Sequence, residues 1–306
     1  MKRVVSISLG SSRRDHKVAI ELLGEQVSIE RIGTDGDVEM ARQLYRKLDG
    51  KVDAFGMGGT DLTLRVGGRH YPLYQARKLV EDVRHTPVVD GGGLKHTLER
   101  RVMQYVEAEI GTEISPKRAL ITMSVDRYGM ALSFEEAGYQ TIYGDFMFGL
   151  GLPFPLRSLR AVRLLAWFML PVFGRLPMHM VYPTGEKQQV NIPKWEKYYR
   201  WASVVAGDFL YIRRHMPQDM AGKVIVTNTT TQADLEFLAG RGVKYLVTTT
   251  PRLEGRSFGT NVIEAALVSI SGKGRPLTDE EIEEMLAVLG FRPSIEKLSK
   301  TERWMS

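Results

Sequence analysis

Cysteine is absent from the 306 residues of this sequence. This absence excludes disulfide bonds, thiolate metal ligands and cysteine nucleophiles. The six histidines show no HExxH motif or other close spacing typical of metal ligands, so we expect no metal site. A P-loop motif is also absent, which argues against phosphoryl transfer of the P-loop kind.

Long apolar runs are scarce, and the most apolar stretch, residues 164–173, has only ten residues. A helix needs roughly 20 apolar residues to cross a bilayer, so this stretch is too short to span one. The N-terminus lacks the apolar region and cleavage site of a signal peptide, and we therefore expect a cytoplasmic protein. With its arginines, the segment 157–180 has three interpretations: packing in the core or between domains, a homo-oligomer interface, or a lid on an anionic membrane surface.

Neither sign of charge is in large excess, because 42 Lys and Arg residues face 36 Asp and Glu residues, for a formal net charge of +6. No run of Lys and Arg is long enough for a nucleic-acid-binding arm, so we expect no nucleic-acid partner. The mild basicity favours small anionic ligands. The composition, 43% hydrophobic and 25% charged, is in the globular range, and the length suggests two domains of roughly 150 residues each.

The pattern of apolar segments predicts an α/β fold in two parts. Residues 1–115 are typical of an N-terminal α/β substrate domain, and a cluster of Gly, Thr, Ser and Pro at 111–117 predicts the boundary. Residues 116–306 show the strand–helix alternation of a Rossmann-like domain with a doubly wound parallel sheet. We expect this second domain to bind a nucleotide and to contain an irregular, hydrophobic insert at 146–193.

A polar loop follows the first predicted strand of the second domain. In a dinucleotide-binding fold, the backbone N–H groups of this loop and the start of the next helix hold a pyrophosphate. Asp145 lies about 20 positions later, at a predicted strand end, where an acidic side chain binds ribose hydroxyls and favours NAD over NADP. The alternative is that these residues only cap a helix and end a strand. The loop residues predicted to bind the cofactor are Ser124, Val125, Asp126, Arg127, Tyr128 and Gly129.

Later loops at predicted strand ends carry Asn and Thr side chains. A ligand in this fold lies across the carboxyl ends of several strands, so these side chains are candidates for the rest of the cofactor site. Alternatively, they satisfy turn backbone and cap helices. The candidates are Asn228, Thr229, Thr230 and Thr249.

Two glycine-rich loops in the first domain, 56–61 and 90–95, follow neighbouring predicted strands. A lysine near a carboxylate can move a proton to or from a hydroxyl or carbonyl, so we predict that Lys95 and Asp61 form an acid–base pair, with Asp90 as a competing carboxylate. Each could equally be a helix cap or a solvated side chain. The residues predicted to complete the substrate site are Ser11, Ser12, Gly58 and Gly59.

Three segments, 6–12, 56–61 and 229–251, resemble bacterial proteins labelled quinate 5-dehydrogenase, which share the two-domain layout of shikimate and quinate dehydrogenases. The Asn-x-Thr-x-Pro-x-Lys segment and the Gly-x-Gly-Gly-Ala loop of the family do not occur in this sequence. The resemblance implies an NAD(P)-dependent oxidoreductase acting on a small hydroxy acid. A non-catalytic or differently catalytic nucleotide-binding protein, membrane-peripheral or not, and a methyltransferase are the alternatives.

Overall fold

The computed structural model describes residues 1–176, 190–250, 252–253 and 256–298. It divides into two compact units. The first unit comprises the described residues of Met1–Thr97, Leu165–Gln188 and Phe258–Phe291. The second comprises the described residues of Leu98–Leu164, Gln189–Ser257 and Arg292–Ser306.

The regular elements are short strands alternating with helices. The strands are β1 (Lys2–Ser8), β2 (His16–Leu22), β3 (Glu25–Gly33), β4 (Ala54–Gly58), β5 (Thr63–Val66), β6 (Arg69–Pro72), β7 (Val88–Val89), β8 (Arg118–Ile121), β9 (Gln140–Tyr143), β10 (Val204–Ala206), β11 (Val224–Thr227), β12 (Tyr245–Thr248), β13 (Arg252–Leu253), β14 (Arg256–Ser257) and β15 (Ser294–Lys297). The α-helices are α1 (Val38–Leu48), α2 (Tyr74–Arg77), α3 (Gly92–His96), α4 (Val102–Ile110), α5 (Tyr128–Glu136), α6 (Leu159–Phe173), α7 (Glu196–Trp201), α8 (Phe209–His215), α9 (Gln232–Gly240), α10 (Thr260–Ser271) and α11 (Asp279–Leu289).

The first unit has a five-stranded sheet in the order β2-β3-β1-β4-β7. Strands β3, β1, β4 and β7 are parallel, and β2 pairs antiparallel with β3 in a hairpin that turns around Gly24. Helix α10 covers strands β1 and β4. The close approach depends on Gly56, because a Cβ there would lie 2.8 Å from the backbone oxygen of Asn261.

The second unit has a six-stranded sheet in the order β15-β12-β11-β10-β8-β9. All its strands are parallel except β15, which pairs antiparallel with β12. The central strands are almost wholly apolar and buried, as expected for a parallel sheet covered on both faces. Strand β9 lies at one edge. The predicted α/β class, with a parallel sheet in the second part, is confirmed.

The division of the chain differs from the single boundary expected at residues 111–117. The apolar pattern predicts one helix from Leu94 to about Ile110, but that helix is interrupted at Thr97, where the chain passes to the second unit. Residues 258–291 return to the first unit because the apolar face of α10 packs on β1 and β4. A strand and the helix that covers it are here separated by about two hundred residues, and local sequence patterns do not report such pairing.

In its described residues, the insert expected to be irregular contains a π-helical turn at Asp145–Gly149 and the helix α6. One face of α6 is buried at Val162 and Ala166. The opposite face carries Leu164, Trp167, Phe168 and Val172, which are 49–59% exposed. Residues 177–180 of the segment 157–180 lie outside the described residues. Among the described residues, no helix is both long enough and apolar enough to cross a membrane.

Candidate functional site

A buried ion pair lies at the carboxyl edge of the first unit's sheet. Lys95 Nζ is 2.6 Å from Asp61 Oδ1, and the two side chains are 9% and 8% exposed. Asp61 follows β4 and Lys95 lies in the helix that follows β7. Because β4 and β7 are adjacent and parallel, their carboxyl ends meet at the same edge. The structure thus brings together the two residues that were paired from the sequence, while their catalytic role stays a prediction.

Asp90 holds the two loops that carry this pair. Its Oδ1 accepts a hydrogen bond from Gly92 N at 2.9 Å, and its Oδ2 accepts one from Leu62 N at 2.6 Å. The first bond fixes the start of α3, and the second fixes the residue after Asp61. The geometry therefore gives Asp90 a positioning role beside the Lys95–Asp61 pair.

Glu264 of α10 supports the same loop from the other side. Its side chain is buried, and its Oε2 accepts a hydrogen bond from Gly93 N at 3.0 Å. Burial, helped by the negative charge of Asp90, raises the pKa of Glu264 to about 8, so this carboxyl group holds its proton at neutral pH. Glu264 was not among the residues predicted from the sequence. The signal available was a lone acidic residue in the apolar run of α10.

His96, next to Lys95, is largely buried, and desolvation together with the charge of Arg65 lowers its pKa to about 4. The imidazole is therefore neutral near pH 7. Arg65 forms a two-pronged ion pair with Asp279 of α11, with 2.7 Å between Nη1 and Oδ1. This ion pair joins β5 to the start of α11.

The residues expected to complete the substrate site divide into two pairs. Gly58 and Gly59 lie at the end of β4. The backbone oxygen of Gly58 accepts a hydrogen bond from Leu9 N, in the loop after β1, at 3.1 Å. Both glycines therefore lie in the loop that carries Asp61. Ser11 Oγ accepts from Arg13 N at 3.3 Å, and Ser12 N donates to Asp35 Oδ1 at 2.9 Å. These two serines shape a short 3-10 turn.

Asp145 lies at the end of β9 as expected, but its carboxylate is bound inside the protein. Ser124 Oγ donates to Oδ2, and Val125 N donates to Oδ1 at 2.9 Å. The carboxyl group is fully buried, and desolvation raises its pKa to about 6. An acidic side chain that binds ribose must present its oxygens to the ligand, and Asp145 directs both oxygens into the loop 124–125.

Arg127 is likewise engaged within the second unit. Its guanidinium bonds Glu99, lies 3.0 Å from Asp208 Oδ2 and has its Nε 3.7 Å from Asp126 Oδ2. Burial opposes the charge, but these three carboxylates raise the pKa of Arg127 above its ordinary value. Tyr128 and Gly129, which open α5, are buried. The loop expected to hold a pyrophosphate is thus joined to neighbouring loops by its own ion pairs.

The Asn and Thr side chains extend this network across four strand ends. Asn228 Nδ2 donates to Asp208 Oδ2 at 2.8 Å, and Thr249 Oγ1 donates to Glu99 Oε1 at 3.3 Å. Thr230 is buried and Thr229 is half-buried in the same loop. Glu99 and Asp208 were not predicted as members of this network. Within the described residues, no group of three or more His, Asp or Glu side chains is placed to hold a metal ion.

Residues 93–298 match the family model described as Domain of unknown function (DUF8754), and the chain belongs to that family. Residues 3–90 match a second model, described as Domain of unknown function (DUF8753). A search of curated proteins gave no match.

Solved structures with a similar fold include the following three proteins. One is an ABC transporter solute binding protein from Agrobacterium vitis bound with alpha-D-tagatopyranose, with 12% identity, a TM-score of 0.39, and 99% of this chain and 97% of that chain covered. Another is GanP, a glucose-galactose binding protein from Geobacillus stearothermophilus, with 10% identity, a TM-score of 0.39 and 99% of both chains covered. The third is an NAD-dependent malic enzyme from Thermotoga maritima, with 12% identity, a TM-score of 0.40, and 94% of this chain and 76% of that chain covered. Likeness at this level carries no argument about the function of this chain.

The expected resemblance to quinate 5-dehydrogenases is wrong, and so is the NAD(P)-dependent oxidoreductase function that it implied. The matching family models describe domains of unknown function and give no link to that group. The methyltransferase alternative depended on a ribose-binding Asp145, whose oxygens are bound by Ser124 and Val125. Binding of NAD or NADP and a cytoplasmic location stay predictions.

Proposed function

We propose that this protein binds a small polar molecule at the carboxyl edge of the first unit's sheet, with Lys95 and Asp61 as the polar centre of the site. The observation that carries the proposal is the 2.6 Å contact between two charged groups that are each more than nine-tenths buried. Removing both charges from water costs several kcal/mol per ion, and a hydrophobic pair of similar size often stabilises a fold at least as well. A buried ion pair at strand ends is therefore better explained by ligand chemistry than by stability.

The two side chains offer complementary groups to one ligand. The Lys95 ammonium donates hydrogen bonds and the Asp61 carboxylate accepts them, so together they match a hydroxyl or a carbonyl with a neighbouring hydroxyl. The loop that carries Asp61 includes Gly59, which is exposed and has a positive φ of 79°. A Cβ at this position would lie 3.2 Å from Leu9 N, so glycine lets this loop pack closely against the loop that follows β1.

We further propose that the pair transfers a proton to or from the bound molecule. Lys95 is the group that gives or takes the proton at the ligand oxygen, and Asp61 stabilises the charged form of the lysine. Glu264 and Asp90 contribute by fixing the N-terminal end of α3, on which Lys95 lies. The neutral His96 leaves Lys95 as the proton donor of this loop.

A thermal-shift screen tests the proposal, using monosaccharides, polyols, hydroxy acids and keto acids as probes. A compound that binds the folded state raises the melting temperature, by an amount set by its concentration relative to Kd. We expect at least one compound to stabilise the wild type, and we expect Lys95→Met and Asp61→Asn to lose that shift. Lys51→Met is the matched control, because Lys51 is exposed at the opposite end of β4.

Two results would overturn the proposal. One is a compound that shifts the wild type and Lys95→Met equally, which would place its site elsewhere. The other is a screen in which none of the four compound classes stabilises the wild type.

A further inference from the structure

A cavity of about 250 Å³ lies beside β9, the edge strand of the second unit's sheet. It contacts four consecutive residues of the strand, 140–143. Successive side chains of a strand point to opposite faces, so a cavity that touches all four residues lies along the edge itself. This cavity is separate from the Lys95–Asp61 site and belongs wholly to the second unit.

The hydrogen-bond pattern shows which backbone groups face this edge. Gln140 N and Gly144 N donate to the strand β8 side, at Lys117 O and Ile121 O, both within 3.0 Å. Tyr143 faces the other way, since its N–H and C=O pair with Leu156 at 2.9 Å each. Alternation along the strand therefore turns the N–H and C=O of Thr141 outward as well, toward the cavity.

The chain does not continue this outer pairing to Thr141. The antiparallel register that joins Tyr143 to Leu156 would place residue 158 opposite Thr141. Ser158 instead begins the turn into α6, with its Oγ accepting from Ala161 N at 3.2 Å. The cavity thus occupies the position of one missing strand residue, and a donor and an acceptor lie side by side along it.

The walls of the cavity favour a flat, compact ligand. Three aromatic side chains line it, from Tyr139, Tyr143 and Trp201, and the exposed charges of Glu135 and Arg157 lie at its rim. At about 30 Å³ per water molecule, the volume equals roughly eight waters. That is room for a single ring with one substituent and too little for an extended peptide of several residues.

We propose that this cavity is a binding site for a small aromatic or heteroaromatic molecule that carries a primary amide group. One amide N–H donates to Thr141 C=O, the amide C=O accepts from Thr141 N–H, and the ring packs against the aromatic walls. A primary amide has an N–H on the same side as its C=O, so it can make the two bonds that the missing strand residue would make.

Benzamide is the probe, and the readout is the amide proton of Thr141 in protein labelled with nitrogen-15 at threonine. We expect a saturable change in its chemical shift with a Kd of about 1 mM, which corresponds to a binding free energy of about −4.1 kcal/mol. N,N-dimethylbenzamide keeps the ring and the acceptor but lacks the donor, and we expect it to bind at least about tenfold more weakly.

Two variants of Thr141 separate the backbone from the side chain. Thr141→Pro removes the outward N–H together with the side-chain hydroxyl, and edge strands accept proline where no ladder bond is lost. We expect this variant not to bind benzamide, and ligand-detected NMR measures the binding. Thr141→Val keeps the backbone groups and should bind as the wild type does. If Thr141→Pro does not fold, Trp201→Leu removes one aromatic wall and should weaken binding at least about threefold.

Three outcomes would contradict this site. Equal affinity for benzamide and its dimethyl derivative would show that the amide N–H makes no bond to Thr141. If a folded Thr141→Pro variant, or Trp201→Leu, bound benzamide as the wild type does, the ligand would not lie in this cavity. A blocked dipeptide that binds more tightly than benzamide would assign the edge to peptide pairing instead.

Discussion

Glu264 is a buried carboxyl group beside the Lys95–Asp61 site, and its proton equilibrium is strongly displaced. Its ordinary pKa is 4.5, and burial raises the pKa in the folded protein to about 8. Between these two values the unfolded chain has lost this proton and the folded chain has kept it. The stability that this carboxyl group contributes is therefore fully present below pH 4.5. It falls as the pH rises toward 8, by up to about 1.4 kcal/mol per pH unit.

Glu264→Gln tests this linkage. Glutamine cannot ionise, yet its carbonyl oxygen still accepts the bond from Gly93 N. We expect the free energy of unfolding of the variant to vary less between pH 5 and pH 8 and to exceed the wild-type value at pH 8. Urea denaturation at several pH values measures both quantities. Glu284→Gln is the control, because Glu284 is an exposed residue of α11. The same pH slope in wild type and Glu264→Gln would contradict the raised pKa.

Single residues also show where prediction from sequence reaches its limit. Asp145 could be placed at a strand end, because the apolar pattern of β9 stops there. The direction of its carboxylate could not, since it depends on Ser124 and Val125, which fold back over it. Glu99 and Glu264 were missed for a related reason, because burial of a glutamate is decided by tertiary packing that local patterns do not report.

At the scale of elements, the turn from β7 into α3 positions Lys95. This turn passes through Gly91, whose φ is +91°, a backbone conformation that favours glycine. A Cβ on Gly91 would lie 2.4 Å from Thr260 Oγ1 and 2.7 Å from Asn261 N. The start of α3 and the start of α10 are thus in backbone contact, and only a hydrogen atom fits between them.

Gly91→Ala should therefore combine backbone strain with a steric clash. We expect it to lower the free energy of unfolding by about 2–4 kcal/mol, since strain at a positive φ alone costs about 1–2 kcal/mol. Gly68→Ala is the matched control, because Gly68 has a φ of +78° and a methyl group there would meet no other described residue within 4 Å. Urea denaturation of both variants measures the difference. Equal losses would show that close packing at Gly91 adds nothing to the strain.

Elements whose partners are near in sequence were predictable. The β2–β3 hairpin follows from alternating apolar residues around Gly24, and the Lys95–Asp61 contact follows from glycine-rich loops after two strands that proved adjacent. The apolar pattern of residues 260–269 indicates a helix, but no local pattern places that helix on β1 and β4. The helix α6 in the insert was not predicted, because Trp167 and Phe168 make its exposed face apolar as well. The sequence there lacks the alternation of apolar and polar residues that indicates a helix with one buried face.

At the scale of the whole molecule, each unit has a parallel sheet whose polar side chains gather at the carboxyl edge. In the second unit these side chains bond one another, with Arg127 joining Glu99 to Asp208 and Asn228 bonding the same Asp208. In the first unit they form the buried Lys95–Asp61 pair. We assign ligand chemistry, and not stability, to that pair, and the proposed function depends on this assignment.

The most direct test is the free energy of unfolding of the double variant Lys95→Met/Asp61→Leu. Removing one partner leaves a buried charge alone, so each single variant should lose about 3–5 kcal/mol. Replacing both with apolar side chains removes the cost of desolvation, and we predict that the double variant is at least as stable as the wild type. A double variant that is destabilised as much as the single ones would show that the ion pair is there for the fold, and would contradict the assignment.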